Sequence, residues 1–375
     1  MAEQAHAPRK LPNDMSQLQV VWRYELLKYL RSRRLIASIV IVIAILALIY
    51  VLPPAVGSPY RGEEVNSVVS VVSASSLLPG QTNITLGHLT ILSYGMLKSG
   101  TIDTNSLHLF LNGTEYPSDN GANWVFMSSV SMGGATIATN AVLFTHDLTG
   151  QVVTATYTWH TPVHQFDSLF VNFVNILVVI CATFFGADSI VGEFQNRTGY
   201  LMFPNPLRKS TLFFGKYAAS LTAGIAVIAL FYAGVALLSA TTVGGVDSSF
   251  PLSLGFAIEY LVAVMAVAYL ISSILKGSTG ALVLTFFMFV MILPIVDNVS
   301  MFAGVKLEAS LTFAAGTIVY SLSHPYPVDS VNSVRGFTIH QYYPDPAIAS
   351  VVMLAYAVVA LAISLVLFKR KQLVG

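Results

Sequence analysis

Hydrophobic and polar positions sort this chain into six long apolar runs with polar segments between them. The runs cover residues 35–52, 168–187, 212–240, 252–275, 279–296 and 347–368. Each is near the roughly 20 residues a helix needs to cross a hydrocarbon layer, where no water satisfies backbone groups, so each predicts a transmembrane helix. Only Lys276, Gly277 and Ser278 separate the fourth run from the fifth, which predicts a tight helical hairpin. Residues 53–167 pattern differently, being rich in Ser, Thr, Gly and Asn. Thr154, Thr156 and Thr158 alternate with Ala155, Tyr157 and Trp159, and Asn112-Gly113 follows the β-type run 107–111 as a hairpin signal. A β-sandwich-like domain of about a hundred residues is expected there. Ahead of the first apolar run, residues 15–34 lack Pro and Gly. On a helical wheel Leu18, Val21, Trp22, Leu26, Tyr29 and Leu30 gather on one arc and Arg23, Lys28, Arg31 and Arg34 on the other. Glu25 falls on the apolar arc and Leu27 on the basic one. The pattern predicts an interfacial helix on the inner leaflet, with Trp22 and Tyr29 at headgroup depth and the basic face toward anionic membrane lipid.

Composition sharpens this picture. Of 375 residues 55% are hydrophobic and 10% charged, with a mean hydropathy of +0.70, which excludes a water-soluble enzyme. A net charge of +1 gives no field to collect nucleic acid, so no nucleic-acid partner is expected. The single cysteine, Cys181, lies in an apolar run and can form neither an intrachain disulfide nor a cysteine metal cage. Of the 19 Lys and Arg residues, all but Arg61, Lys98, Lys306 and Arg335 fall on one side of the predicted spans. Basic loops stay in the cytoplasm, so both termini are expected there. The expected fold is an all-α polytopic plasma-membrane protein with six transmembrane helices and an extracellular β-rich domain between the first and second. It divides into a cytoplasmic leader 1–34, a first span 35–52, the outer domain 53–167, and five further spans within 168–375 that include an extracellular loop at 297–346. The sequons at Asn83, Asn112 and Asn298 fall on the outer side, although such triplets are frequent by chance in Ser/Thr-rich loops.

The segment after the second span carries the most chemistry. It runs from Asp188 through Glu193, Phe194, Arg197, Thr198, Gly199, Leu201, Met202, Phe203, Pro204, Pro206, Arg208 and Lys209 to Gly215-Lys216. Glu193 and Arg197 are one helical turn apart in the favourable order, and Gly199, Pro204 and Pro206 end the helix and turn the chain back. Residues 188–211 thus form a cytoplasmic hairpin with Leu201, Met202 and Phe203 at its tip, where exposed apolar side chains point to a covering partner or to the membrane interface. An acid at the inner end of the second span, a Glu five residues on, a Thr-Gly stretch, Pro, a basic pair and Gly-Lys opening the next span resemble the transmembrane subunit of type-2 ABC transporters, the exporter permease family. Six spans, the leader helix, a large outer segment after the first span and the partly apolar loop 301–322, which in relatives carries short re-entrant helices, are similar as well. Gly199 departs from the pattern by standing where relatives often carry an apolar residue. The resemblance implies a permease that works as a homodimer or heterodimer with a separate ABC ATP-binding subunit. Asp188, Glu193, Phe194, Arg197, Thr198, Leu201, Phe203, Pro204 and Arg208 would then couple to that ATPase. No Gly-x-x-x-x-Gly-Lys-Ser/Thr is present, so the chain holds no cofactor of its own and is not an enzyme by itself; ATP and magnesium belong to the partner.

Polar residues inside the spans are the remaining candidates. Glu259, about 12 Å into the fourth span at 1.5 Å per residue, reads equally as an ion or gate residue and as a carboxyl bonded to a neighbour such as Tyr260 or Ser272. Asn172 and Asn175 share a face of the second span, and the fifth carries Phe286, Phe287, Met288, Phe289 and Met291. In the family resembled, these two spans line the export path, which makes Asn172, Asn175, Glu259, Phe286 and Met288 the expected pathway residues. Interhelical packing and hydrogen bonding explain the Met, Phe and Asn residues without transport. Lys216 is expected to snorkel to the inner interface. His160, His164 and Asp167 could share a helical face as metal ligands, but they read better as markers of the membrane boundary. An ion-coupled secondary transporter or channel would show internal repeats or paired intramembrane charges, and neither is seen. A receptor using the outer domain would need a cytoplasmic signalling module, and there is none.

Overall fold

The computed structural model of the chain describes residues 14–74, 84–86, 89–128, 130–132, 135–137, 140–195, 208–334 and 337–370. Two compact units emerge: residues 1–50, 167–238 and 246–375 form one, and residues 51–166 with 239–245 the other.

Among the described residues six helices are long and apolar enough to cross a membrane. They are α2 (Arg33–Ala55), α3 (Val163–Glu193), α4 (Lys209–Thr242), α5 (Phe250–Ile274), α6 (Ser278–Phe302) and α9 (Pro346–Arg370), and α1 (Asp14–Leu30) precedes them. Pro251 sits in the first turn of α5, where its missing N–H costs nothing, and α5 stops at the extended Leu275 before α6 begins at Ser278. The tight hairpin expected between these two spans is therefore present.

The centre of the helical unit is α5. Ala257, Ala263, Ala266 and Ala268 are fully buried, and such small residues let neighbouring backbones approach. Tyr260 and Tyr269 on the same helix are among the largest fully buried side chains. Serine hydroxyls tie the neighbours in: Ser272 Oγ accepts from the Ile190 and Val191 amides of α3 (3.1 Å each), and Ser364 Oγ of α9 donates to the Tyr269 carbonyl (3.0 Å). By contrast α2 and α9 leave Ile36, Val40, Ile43, Val351, Leu354 and Val358 exposed, the surface of helices that meet hydrocarbon.

Two spans are not regular. The α-helical ladder of α3 breaks between Val171 and Val174, and a π-helical turn occupies Ala182–Gly186, where the Ala187 amide reaches back to the Ala182 carbonyl (3.0 Å). A second π turn, Met288–Ile292, interrupts α6 just ahead of Pro294. In the loop expected to hold re-entrant helices, two short helices do occur, α7 (Leu311–Ala314) and α8 (Thr317–Tyr320), with Leu311, Ala314, Ala315 and Ile318 buried. The strands Ser330–Val334 and Phe337–Gln341 then form a hairpin that the sequence pattern did not announce.

The β-rich unit holds two principal antiparallel sheets. One has the order Arg61–Val69, Val153–His160, His108–Leu111, Thr114–Glu115, with Thr101–Ile102 also against the second of these. The other has the order Val71–Ser73, Ser93–Met96, Ala141–Phe144, Trp124–Met127. One core of Leu109, Val142, Phe144, Val153, Ala155 and Tyr157 draws on both sheets. In Val153–His160 the alternation holds: Val153, Ala155, Tyr157 and Trp159 are buried. Asn112 and Gly113 have φ of 52° and 82° and close the hairpin that their dipeptide signals. His160 ends a strand while His164 and Asp167 belong to α3, so the three do not share a helical face. Among the described residues no group of His, Cys, Asp or Glu is arranged to hold a metal ion.

Candidate functional site

Helix α1 buries Gln17, Val21, Glu25 and Tyr29, every fourth residue, so the stripe it packs includes the acid that spoiled the amphipathic wheel. Its partner is α4. A Cβ on Gly215 would lie 2.6 Å from Val21 Cγ1, so the glycine permits the close approach, and Trp22 Nε1 donates to Thr222 Oγ1 at 3.1 Å. Trp22 and Tyr29 thus make their hydrogen bonds to protein.

Lys216, expected to snorkel, is 3% exposed. Its ammonium donates to Glu25 Oε1 at 2.6 Å and to Glu193 Oε1 at 2.7 Å. Glu25 is 2% exposed, and the more open Lys28 lies 3.6 Å from both carboxylates. Two acids and two bases therefore balance, as burial of charge demands. Next to them Arg34 makes a two-pronged pair with Asp188, Nη1 to Oδ1 at 2.7 Å and Nη2 to Oδ2 at 2.5 Å, the strong geometry for guanidinium and carboxylate. A cavity of about 510 Å3 is lined by these charges and by Tyr24, Ser32 and Ser189.

The π turn of α3 supplies the site's acceptors. A π turn withdraws carbonyls from the regular ladder, and buried carbonyls need partners. Phe185 O accepts from the hydroxyls of Tyr29 (2.9 Å), Ser189 (2.5 Å) and Ser220 (2.9 Å), and Phe184 O from Arg34 (3.0 Å). Ser220 Oγ also lies 2.8 Å from Tyr269 Oη, which joins α1, α3, α4 and α5 in one network. Burial pushes the Tyr29 phenol above its ordinary value of 10.0, so it stays protonated and able to donate.

Glu193 at the end of α3 and Lys216 in α4 hold each other, and Lys216 also holds Glu25 of α1. Gln195 adds a second tie, its Oε1 accepting from the Ser278 amide at the start of α6 (2.9 Å). Of the residues expected to couple to an ATPase, Asp188 and Glu193 are in this network and Phe194 lies in the helical turn Val191–Gln195. Arg208 lies just before α4, while Arg197, Thr198, Leu201, Phe203 and Pro204 lie outside the described residues, as does Asn83.

The expected pathway residues separate. Asn172 and Asn175 line one cavity of about 410 Å3 at the end of the helical unit remote from Lys216, but Phe286 and Met288 do not; Phe289, Pro294 and Asp297 take their place. Met288 packs instead against Val191, Ile271 and Ala281. Glu259 accepts from Ser350 of α9 at 2.9 Å rather than from Tyr260 or Ser272. Sequence reasoning read Glu25, Tyr29, Arg34 and Lys216 separately, without joining them in one site, and did not single out Asp297. The signal available was a pair of opposite misfits, an acid on an apolar arc and a lysine in an apolar run.

No curated protein matches the chain. A family model described as ABC-2 family transporter protein matches residues 19–373, from α1 to beyond α9. With that match over nearly its whole length, and with six apolar helices spanning it, the chain belongs to the ABC-2 transporter family and is a multi-pass membrane permease.

Proposed function

We propose that the chain is the membrane subunit of an ATP-driven exporter in the plasma membrane, with both termini in the cytoplasm and the β-rich unit outside. ATP and magnesium are bound by a separate ABC subunit, and two permease chains, identical or not, complete the transporter. The observation that carries this reading is the Glu25–Lys216–Glu193 cluster: one buried ammonium holds both ends of the connection between α3 and α4 and hands its position to α1. A connection tied at both ends into the core suits the transfer of force from a soluble motor. The asymmetry of Lys and Arg supports the orientation. Apolar Leu201, Met202 and Phe203 supply the surface on which the ATPase docks.

The test is to tag the chain at its C-terminus, extract it gently from its own membrane and identify what accompanies it. A near-stoichiometric P-loop ATPase, lost in Phe203→Asp but retained in Lys216→Met with ATP turnover no longer moving cargo, is the expected result. A chain that purifies alone, with no ATPase activity in the preparation, overturns the proposal.

A further inference from the structure

The 410 Å3 cavity between α3, α5, α6 and the short helices α7 and α8 has an unbalanced hydrogen-bonding character. Three of its donors are engaged elsewhere: Asn172 Nδ2 donates to Ser168 O (2.7 Å), Asn298 Nδ2 to Pro294 O (2.7 Å), and the Tyr342 hydroxyl to Gly304 O (2.9 Å). Two of its acceptors are not. Asn175 Oδ1 and Asp297 Oδ1 are buried with no hydrogen-bond partner, while the other Asp297 oxygen takes the Thr312 hydroxyl, which fixes the carboxylate. Among the described residues neither Lys nor Arg lines the cavity, so its carboxylate meets no cation among them. An acid inside a membrane span without such a partner is costly unless a ligand meets it. The remaining walls combine rings, from Tyr260, Phe289, Phe313 and Tyr320, with aliphatic side chains such as Ile176, Val179 and Val290.

We infer that this cavity is a binding site for an organic ammonium ion, a primary or secondary amine carried on an apolar body. The N–H groups would satisfy Asp297 Oδ1 and Asn175 Oδ1, the charge would balance the carboxylate, and the rings would accept the apolar part and the cation's field. A bare metal cation fits less well, because it needs a shell of about six oxygens and gains little from aromatic walls. The volume is in the range of small-molecule sites. The site deepens the export reading by naming a cargo class, yet it belongs to one chain and is measured without any ATPase. Failure here leaves the export reading standing, and failure of ATPase association leaves this site standing.

The experiment uses the full chain in lipid nanodiscs, with radiolabelled 4-phenylbutylamine as probe and empty discs subtracted. Saturable binding of one amine per chain is expected, at least tenfold tighter than 4-phenylbutanol and not displaced by equimolar sodium. Asp297→Asn, which keeps the shape, should weaken binding at least tenfold. Asn175→Ala should weaken it several-fold and serves if the Asp297 variant does not fold, and Glu115→Gln in the β-rich unit should leave it unchanged. Equal binding of amine and alcohol, binding unaffected by Asp297→Asn and Asn175→Ala, displacement by sodium, or no saturable binding each overturns the site.

Discussion

Removing the Lys216 ammonium isolates the energetics of the charge cluster. In Lys216→Met the stem is replaced by an apolar chain of similar length, but Glu25, 2% exposed, loses its 2.6 Å partner, and Glu193 loses one at 2.7 Å. Lys28 remains 3.6 Å from each, with its side chain 58% exposed, and so returns only a screened part of the lost interaction. Breaking a buried pair by deleting one partner costs about 3–5 kcal/mol, mostly the desolvation of the charge left behind. At about 1.4 kcal/mol per decade, that is more than a hundredfold in the folding equilibrium. If Glu25→Leu is combined with Lys216→Met, the buried charge goes with its partner and Glu193 keeps Lys28. The double variant should then cost less than Lys216→Met alone, by about 2 kcal/mol or more. Reversible unfolding in mixed dodecyl sulfate micelles, followed by tryptophan emission, measures all four corners of this cycle. Additivity of the two single effects within about 0.5 kcal/mol would refute the idea that the charges act as a unit.

Other outcomes follow from the same region. Gly215→Ala places a methyl 2.6 Å from Val21 Cγ1, so α1 must shift away from α4 at a cost of about 1–3 kcal/mol; tryptophan emission should move to the red as Trp22 loses Thr222, and an unshifted spectrum would contradict the packing described. Asp188→Asn removes one charge of a pair whose arginine side chain is 42% exposed, so the loss should be about 1 kcal/mol, and exchanging the two residues should recover part of it in the same unfolding assay. Tyr29→Phe gives up the hydroxyl bonded to Phe185 O, Ser189 and Ser220, for about 1 kcal/mol. The Tyr29 phenol is raised in the folded chain, so its contribution is complete below the unfolded value near 10.0 and is lost as pH climbs through the folded value. The Phe variant should therefore lose less stability than the parent on alkaline titration, and parallel curves would count against the hub.

The number and approximate placement of the spans, the α5–α6 hairpin, the Asn112-Gly113 turn and the alternating strand before α3 were legible because each is governed by local periodicity or turn chemistry. The burial of α1 was not. A wheel scores residues one at a time, and neither Glu25 nor Lys216 makes sense alone; only the fold brings positions so far apart in the chain into contact. Glu193 was found, but its tie to Lys216 and Lys28 was not, because a nearby Arg197 offered a local explanation. The cavity was half legible. Asn172 and Asn175 stood out as polar residues in an apolar run, whereas Asp297 sat at the end of the fifth apolar run and was taken as loop.

The π turns carry a consequence for how α3 and α6 convey motion. Each inserted residue advances the helix by about 100° without adding a regular turn, so the half of α3 that bears Asn175 and the half that bears Asp188 are phased separately. Such a span behaves as two rods joined by a rotatable collar, with the carbonyls of Phe184 and Phe185 as its bearings. Twist applied below the collar can be absorbed by re-pairing those carbonyls, and the upper rod need turn only when the hydroxyls and the Arg34 guanidinium that clamp them let go.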